Sequence, residues 1–236
     1  MKFILPFVFS AMVASTAWST LVLAGDFEDC ANANALVAND ASKAVSACRR
    51  LAEKGDAAAQ NALGAMYSTG QGVRQDEKAA IAWYRKAADQ GLAEAQCRVA
   101  TAYYSGLGVP RDYSEAASWA RKSADQGFVQ CQHNLGVAYA KGQGVAQDYK
   151  EAVTWYRKAA DQGFGAAQAG LAVMYANGRG VPQDLVLAHM WCDLAAAAGF
   201  KDATKFRNSF AGKMTPKQIA DAKRLAREWK AKPEQP

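Results

Sequence analysis

The feature that most constrains this chain is an internal repeat with a period of 36 residues. Tryptophan and glycine hold that spacing at Trp83, Trp119, Trp155 and Trp191 and at Gly91, Gly127, Gly163 and Gly199. Tyrosine keeps the same register at Tyr67, Tyr103, Tyr139 and Tyr175. A unit of this length cannot bury its apolar face alone, so the copies must stack into an array with one continuous core.

Each repeat is predicted to be a helical hairpin. In the first repeat, residues 57–68 carry apolar side chains at the i, i+4, i+7 and i+8 spacing of a helix with one buried face, which predicts a first helix, helix A. Gly70 can adopt the left-handed conformation that ends a helix, and the Gly-x-Gly-Val stretch predicts a tight loop. Asp76 offers an N-cap for a second helix, helix B, which ends where Gly91 lets the chain reverse.

Three motifs carry a family resemblance. Ala-x-Ala-Gln-x-x-Leu-Gly-x-x-Tyr, Gly-x-Gly-Val-x-x-Asp and Ala-x-x-Trp-Tyr-x-x-Ala-Ala-x-x-Gly resemble the Sel1-like repeat, a relative of the tetratricopeptide repeat (TPR). The resemblance covers four copies, at residues 57–92, 93–128, 129–164 and 165–200. It implies an all-α fold, a right-handed α-solenoid of Sel1-like helix-turn-helix repeats. Departures from the pattern are small: Ala100 and Ala172 replace the glycine of helix A, and Ala120 replaces the tyrosine after Trp119.

Shorter segments flank the four repeats. The register extends backwards, since Asp40 lies 36 residues before Asp76, which predicts an N-terminal capping half-repeat at residues 25–56. Beyond residue 200 the pattern decays into predicted C-terminal capping helices at residues 201–236, one of which starts at Thr215 with proline next to it. A second interpretation of that last helix stays open, a basic docking helix with Lys223, Arg224 and Arg227.

The first 24 residues have the pattern of a secretory signal peptide. Lys2 precedes an apolar run that ends in Val22-Leu23-Ala24, which predicts cleavage after Ala24. Two alternatives stay open, cleavage after Ala17 and an uncleaved N-terminal anchor, because the apolar run approaches the span of a bilayer. We therefore expect a periplasmic or secreted protein with no stable membrane insertion after cleavage.

The charge of the chain bears on its partners. The formal net charge is +6 at pH 7. A basic excess can indicate nucleic-acid binding, but an exported protein rarely meets nucleic acid, so we expect no nucleic acid as partner. An acidic protein or envelope surface is the better expectation.

Export would permit disulfides among the cysteines. Cys30 and Cys48 fall on the two short helices of the N-terminal cap, whose core is too small to hold alone, so a bridge between them would restrain it. Cys97 and Cys131 lie near the start of helix A in successive repeats and are a second candidate pair. A metal site built on Cys97, Cys131 and His133 lacks a fourth ligand and a regular spacing, so no metal is expected.

No set of catalytic residues stands out in the sequence. Certain cysteine-rich Sel1-like proteins are described as β-lactamase-like, but neither Ser-x-x-Lys nor Lys-Thr-Gly occurs here. The Gly-x-Gly loops follow no predicted strand and precede no Lys-Ser or Lys-Thr, so they do not indicate a phosphate site. We expect a non-enzymatic protein that needs no cofactor.

The resemblance implies a scaffold or adaptor that holds a peptide or partner protein in a concave groove, with a role in envelope signalling or cell-wall assembly. The alternative is a secreted factor that engages host molecules. The groove is predicted at helix A positions that vary between repeats while the core repeats. These positions are Asn61, Glu94, Thr101, Tyr104, Gln130, His133, Lys141 and Asn177. Tyr104 and His133 are expected to contribute most, because amphipathic rings give large contact areas.

Overall fold

The computed structural model describes Asp26, residues 28–30 and residues 41–231. The predicted leader at residues 1–24 lies outside the described residues, as do residues 31–40 of the N-terminal cap and residues 232–236. Within the described part the chain is helical and has no strand, which confirms the predicted all-α class.

The helices follow one another in hairpins joined by short loops. The N-terminal cap contains α1 (Ala41–Glu53). Helix A and helix B of the four repeats are α2 (Ala57–Thr69) and α3 (Glu77–Asp89), α4 (Ala93–Ser105) and α5 (Tyr113–Asp125), α6 (Val129–Lys141) and α7 (Tyr149–Asp161), and α8 (Gly165–Asn177) and α9 (Leu185–Ala197). The C-terminal cap contains α10 (Ala203–Ala211) and α11 (Pro216–Glu228). None of these described helices combines the length and the apolar character needed to cross a membrane.

Local signals explain where these helices begin and end. The carboxylates of Asp112 and Asp148 accept hydrogen bonds from backbone N–H groups in the first turns of α5 and α7. The helices α2, α6 and α8 end at Gly70, Gly142 and Gly178, which adopt the left-handed conformation. Because a Cβ disfavours that conformation, each hairpin turns where a glycine permits it.

The second glycine of the Gly-x-Gly loop is required by close packing. A Cβ added at Gly72 would lie 2.5 Å from the carbonyl oxygen of Ala41, and one added at Gly144 would overlap the carbonyl oxygen of Tyr113. The loop therefore lies directly against the first residue of the preceding helix B, or of α1 in the cap. Packing against backbone accounts for these glycines without a phosphate ligand.

The described residues form two compact units, one ending at Ala95 and the other beginning at Gln96. In the N-terminal unit, α1 and α2 share a core around the buried side chains of Leu51, Leu63 and Met66. The boundary falls in the first turn of α4, so repeat 2 contributes its first residues to one unit and the remainder to the other.

Two side-chain links hold the first described residues to α1. The sulfur atoms of Cys30 and Cys48 lie 2.03 Å apart, at disulfide distance. Arg50 forms an ion pair with the buried carboxylate of Asp26, and this hydrogen-bonded pairing lowers the pKa of Asp26. The two links therefore stabilise an N-terminal cap that has only a small hydrophobic core of its own.

In the C-terminal unit, the core continues through repeats 3 and 4 into the cap. Leu171 of α8 is fully buried there, and Ala222 of α11 is buried within the same cluster. The ring of Trp229 meets the ring of Trp191 edge-on, with centroids 6.0 Å apart. Thr215 caps α11 in a complete capping box, as its sequence predicts.

A ladder of glutamines runs through the repeats. Buried glutamines of helix A, including Gln60, Gln132 and Gln168, donate to backbone carbonyls of the preceding helix. A second set at the end of helix B donates to their Oε1 atoms, in the pairs Gln90–Gln60, Gln126–Gln96 and Gln162–Gln132 at 2.8, 2.8 and 2.9 Å. The ladder ends at Gln168, because Ala198 stands where the earlier repeats have the second glutamine.

Many basic side chains of helix B are engaged within the fold. Lysines lie over the tryptophans that recur every 36 residues. The pairs are Lys86–Trp83, Lys122–Trp119 and Lys158–Trp155, with the lysine nitrogen 3.8, 4.0 and 4.0 Å from the ring centroid. Arg121 and Arg157 donate to the hydroxyls of Tyr139 and Tyr175 in the next repeat. These contacts hold the basic side chains along the aromatic rings of the repeats, and the three lysines remain exposed.

Candidate functional site

A pocket of about 450 Å³ opens in the C-terminal unit between α4, α5 and α6. The helices α4 and α5 are the hairpin of repeat 2, and α6 is helix A of repeat 3. We call it the repeat-2 pocket. Its volume falls within the range of roughly 300–1,000 Å³ that is usual for small-ligand pockets in proteins.

One side of the repeat-2 pocket is built from alanine. Ala116, Ala117 and Ala120 of α5 line it, together with Ala100 of α4. All four residues are at least nine-tenths buried, so they form its base. The surface they offer is apolar and has no side chain that reaches into the space.

The pocket lies where repeat 2 lacks a ring that repeats 1 and 3 have. In repeat 3, Tyr156 packs so tightly on Gly136 that a Cβ added to the glycine would lie 2.5 Å from the ring. The same ring also faces Gly170 of the next helix A, where an added Cβ would lie 3.0 Å away. In repeat 2 the equivalents of Gly136 and Gly170 are Ala100 and Asn134, which both line the pocket.

Glycine and tyrosine are exchanged together along the array. Repeats 1 and 3 pair a glycine of helix A with a tyrosine of helix B, whereas repeats 2 and 4 pair an alanine with a small residue. The four pairs are Gly64–Tyr84, Ala100–Ala120, Gly136–Tyr156 and Ala172–Cys192. A Cβ on helix A and a ring on helix B compete for the same volume, since an added Cβ at Gly64 would lie 2.7 Å from the Tyr84 ring. The two departures in repeat 2 are therefore one coupled change.

The opposite side of the pocket is polar. Gln130, His133 and Asn134 of α6 line it, and the Asn134 Oδ1 atom lies 3.2 Å from the Gln130 amide nitrogen and 3.4 Å from the His133 Nδ1. The His133 ring also packs against Tyr156 and Phe164, with centroids 5.8 and 5.4 Å apart. Burial lowers the pKa of His133, so the ring is neutral at pH 7.

Two tyrosines line the pocket, and an exposed leucine lies on the same hairpin. Tyr104 and Tyr113 line the pocket with ring centroids 5.4 Å apart, and the Tyr104 hydroxyl lies 3.3 Å from the Gln143 side-chain oxygen. Leu107, in the loop that follows α4, is 56% exposed. It occupies the middle position of Gly-x-Gly, which holds glutamine or arginine in the other three repeats. Repeat 2 therefore has exposed apolar side chains at positions where the other three repeats have small or polar residues.

A cysteine pair joins two of the helices that form the pocket. The sulfur atoms of Cys97 in α4 and Cys131 in α6 lie 2.16 Å apart, at disulfide distance. Sulfur atoms paired in this way are not thiolate ligands, which argues against a metal site with His133. The fifth cysteine, Cys192, is buried, and burial raises the pKa of its thiol to about 12, so it is a weak nucleophile.

The structure brings four of the eight predicted groove residues together. Thr101, Tyr104, Gln130 and His133 all line the repeat-2 pocket. Lys141 and Asn177 belong to the same unit but are exposed at the C-terminal ends of α6 and α8. Asn61 and Glu94 are half-buried in the N-terminal unit, where the Oδ1 atom of Asn61 has no hydrogen-bond partner among the described residues.

The predicted groove residues all lie on helix A, so they omit the α5 side of this pocket. Tyr113 and the alanines of α5 are absent from them, and so is Asn134 of α6. A signal for them was present, since Ala100 and Ala120 were recognised as departures from the repeat. Their meaning depends on which residues of neighbouring helices they face, and that information comes from packing.

A smaller cavity of about 270 Å³ lies at the C-terminal cap. Lys223 and Arg227 line it together with Asp193, whose carboxylate is also held by Arg207 at 3.0 Å. Arg224 pairs with a glutamate of the same helix at 3.0 Å. Acidic residues therefore partly neutralise the basic helix that the sequence offers as an alternative docking surface.

Similarity to known proteins agrees with this architecture. The family model described as the Sel1 repeat matches four times, at residues 57–92, 93–128, 129–164 and 165–200. A Sel1 repeat protein from Oxalobacter formigenes is 32% identical, with a TM-score of 0.69 over 83% of this chain and 79% of that one. These matches support the α-solenoid fold predicted from the repeat.

Two further solved structures share the fold. A protective antigen of uropathogenic Escherichia coli strains, which displays an SLR fold, is 32% identical with a TM-score of 0.52 over 80% of this chain and 48% of its own. An immunity protein from Pseudomonas aeruginosa is 21% identical with a TM-score of 0.51 over 87% of this chain and 79% of its own, which indicates a common fold alone. None of the curated proteins matches the sequence.

Proposed function

This chain belongs to the Sel1 repeat family, whose members are generally protein–protein interaction scaffolds, and from that premise we propose that it binds a segment of a partner protein at the repeat-2 pocket. The observation that carries the proposal is a pair of rings that line the pocket, those of Tyr104, which is 42% exposed, and Tyr113, with centroids 5.4 Å apart. Leu107, on the same hairpin, is 56% exposed. Single exposed apolar residues are ordinary, but a cluster beside a concave apolar site is typical of a docking surface.

The proposed role is non-enzymatic. The described polar side chains of the pocket are amides, hydroxyls, one arginine and a histidine, and they include no carboxylate and no thiolate. These groups suit hydrogen bonding to a peptide backbone, which offers both N–H donors and carbonyl acceptors. Lys141 and Asn177, at the ends of helices in the same unit, are proposed as peripheral contacts.

We place the protein outside the cytoplasm, in the periplasm or the medium. The two cysteine pairs at disulfide distance fit an oxidising compartment. The leader pattern of residues 1–24 predicts export independently of the cysteines. Mass spectrometry of the processed protein should find Gly25 as its N-terminus.

Site-specific photo-crosslinking tests the proposed surface. A photoreactive amino acid at position 104 should crosslink one protein in living cells, whereas the same residue at position 154, exposed on helix B of repeat 3, should not. Equal crosslinking from both positions, or none from position 104, would show that the repeat-2 pocket is not the contact surface.

A secreted, host-directed role is the second candidate. The similarity to a protective antigen of uropathogenic Escherichia coli favours it, because an antigen is accessible to the host. The same crosslinking decides between them: an envelope protein as partner indicates a periplasmic adaptor or regulator, and crosslinking only to host material indicates a secreted factor.

A further inference from the structure

We infer that the repeat-2 pocket receives a bulky, preferably aromatic, side chain from the partner segment, with an acidic residue beside it. The inference rests on the proposed function and specifies which side chains of the partner segment the repeat-2 pocket would bind. The partner would supply the ring that repeats 1 and 3 supply from their own helix B.

The space itself argues for a ring. In repeat 3, the Tyr156 ring lies between Gly136 of its own repeat and Gly170 of the next. The repeat-2 pocket has the equivalent boundaries, Ala100 and Asn134. A ring that enters from outside is not attached to the α5 backbone, so it can seat farther from the Ala100 methyl than a tyrosine at position 120 could.

The surroundings of the pocket suit a ring with a polar edge. The alanines of α5 offer an apolar face, and Gln130, His133 and Asn134 offer hydrogen-bonding groups across from it. Because burial lowers the pKa of His133, this side carries no added positive charge at neutral pH. Tyrosine and tryptophan, which combine an apolar body with a polar group, match both sides and are frequent anchors of interfaces.

The charge around the site argues for an acidic neighbour. Among the residues that the structure describes, Arg98 is the charged residue that lines the pocket, and none of the Asp or Glu residues in that part of the chain lines it. Arg111 lies over the ring of Tyr113, with its guanidinium carbon 5.5 Å from the centroid. Complementary charge beside an apolar anchor favours a partner segment with Asp or Glu next to its bulky residue and disfavours one with Lys or Arg.

The decisive variant closes the pocket from inside. Ala100→Gly together with Ala120→Tyr restores the pair found in repeats 1 and 3 and leaves Arg98, Tyr104 and Leu107 unchanged. The matched control is Ala172→Gly with Cys192→Tyr, which installs the same pair in repeat 4 outside the pocket. Thermal melting followed by circular dichroism checks that both variants fold.

The probe is a phage-displayed library of random dodecapeptides, selected on the mature protein. We expect enriched peptides to share a bulky apolar residue next to Asp or Glu. Replacing that bulky residue with alanine should weaken binding by about thirtyfold, as for an interface anchor. The Ala100→Gly/Ala120→Tyr variant should show a similar loss, the repeat-4 control should bind as the wild type does, and Arg98→Glu should weaken binding by about threefold at low salt.

Different negative results would refute the anchoring ring alone or the proposed docking surface as well. Enriched peptides that bind the closed-pocket variant normally but are lost on Tyr104→Ala would preserve the docking surface and refute the anchoring ring. Enrichment of basic or purely polar peptides would refute a bulky anchor with an acidic neighbour. Enrichment of no peptide at all would count against both.

A second measurement keeps the inference testable if the closed-pocket variant does not fold. In the wild-type protein, p-cresol, the tyrosine side chain as a free molecule, should shift the NMR methyl signals of Ala100, Ala116 and Ala120 saturably. Signals that do not move would show that the pocket does not accept a ring.

Discussion

Ala198→Gln should stabilise the protein, because it completes the glutamine ladder. Gln168 is 1% exposed, and its Oε1 atom has no hydrogen-bond partner among the described residues. In repeats 1 and 3 the equivalent oxygen accepts from Gln90 or Gln162 at 2.8 and 2.9 Å. The substitution would place the same donor at the same register.

The size of the effect follows from two opposing contributions. Leaving a buried polar atom unsatisfied costs about 1–3 kcal/mol. Ordering a glutamine side chain costs up to about 2 kcal/mol, and less when the residue stays partly exposed. We therefore expect a net gain of about 1 kcal/mol, which raises the Tm of a chain of this size by about 3 °C.

The assay is thermal unfolding of the mature protein, with Ala198→Glu as the matched control. Glutamate has nearly the same shape but no N–H group, so it cannot donate to Gln168 and should bring no gain. The converse variant, Gln162→Ala, leaves the Gln132 oxygen without its 2.9 Å donor and should cost about 1–2 kcal/mol. Equal melting temperatures for the glutamine and glutamate variants at position 198 would refute the reasoning.

Three further predictions concern the loops, the pocket histidine and the cysteines. Gly144→Ala should destabilise by about 2–4 kcal/mol in urea unfolding, more than Gly142→Ala, because both glycines have positive φ but only a Cβ at 144 would overlap backbone, at the start of α5. Burial lowers the pKa of His133, so below about pH 6.5 the unfolded chain binds more protons than the folded chain does. The free energy of unfolding should therefore decline as the pH falls below that value, and His133→Gln should reduce this decline in unfolding measured as a function of pH. A bridge between Cys97 and Cys131, 34 residues apart, should contribute about 4 kcal/mol in the chain-entropy model, so Cys97→Ser/Cys131→Ser should melt well below the wild type under oxidising conditions. Identical melting of wild type and variant under those conditions would show that the pair is not bridged.

Helix placement was predictable because its signals are local. The period of 36 residues, the aspartates before helix B and the glycines after helix A each act within a few residues of the backbone they control. The structure accordingly begins α3 directly after Asp76 and ends α2 directly before Gly70. Family membership followed from the same repeated residues.

The candidate site was predictable only in part. Thr101, Tyr104, Gln130 and His133 could be named because they vary on helix A while the core repeats, and they meet at one pocket. Variation by itself does not separate a lining residue from an exposed one. Lys141 has the same sequence signature and lies outside the pocket lining.

The sequence by itself determined the helical hairpins and their number, since a strict period of 36 residues admits one repeating unit of two helices. Only the tertiary structure decided that Ala100, Ala120 and Asn134 surround one space. A pocket is the volume that remains when side chains from three helices do not fill the space between them. Its presence depends on all of those residues together, so no single position in the sequence predicts it. With alanine at position 120, a pocket remains between α4, α5 and α6.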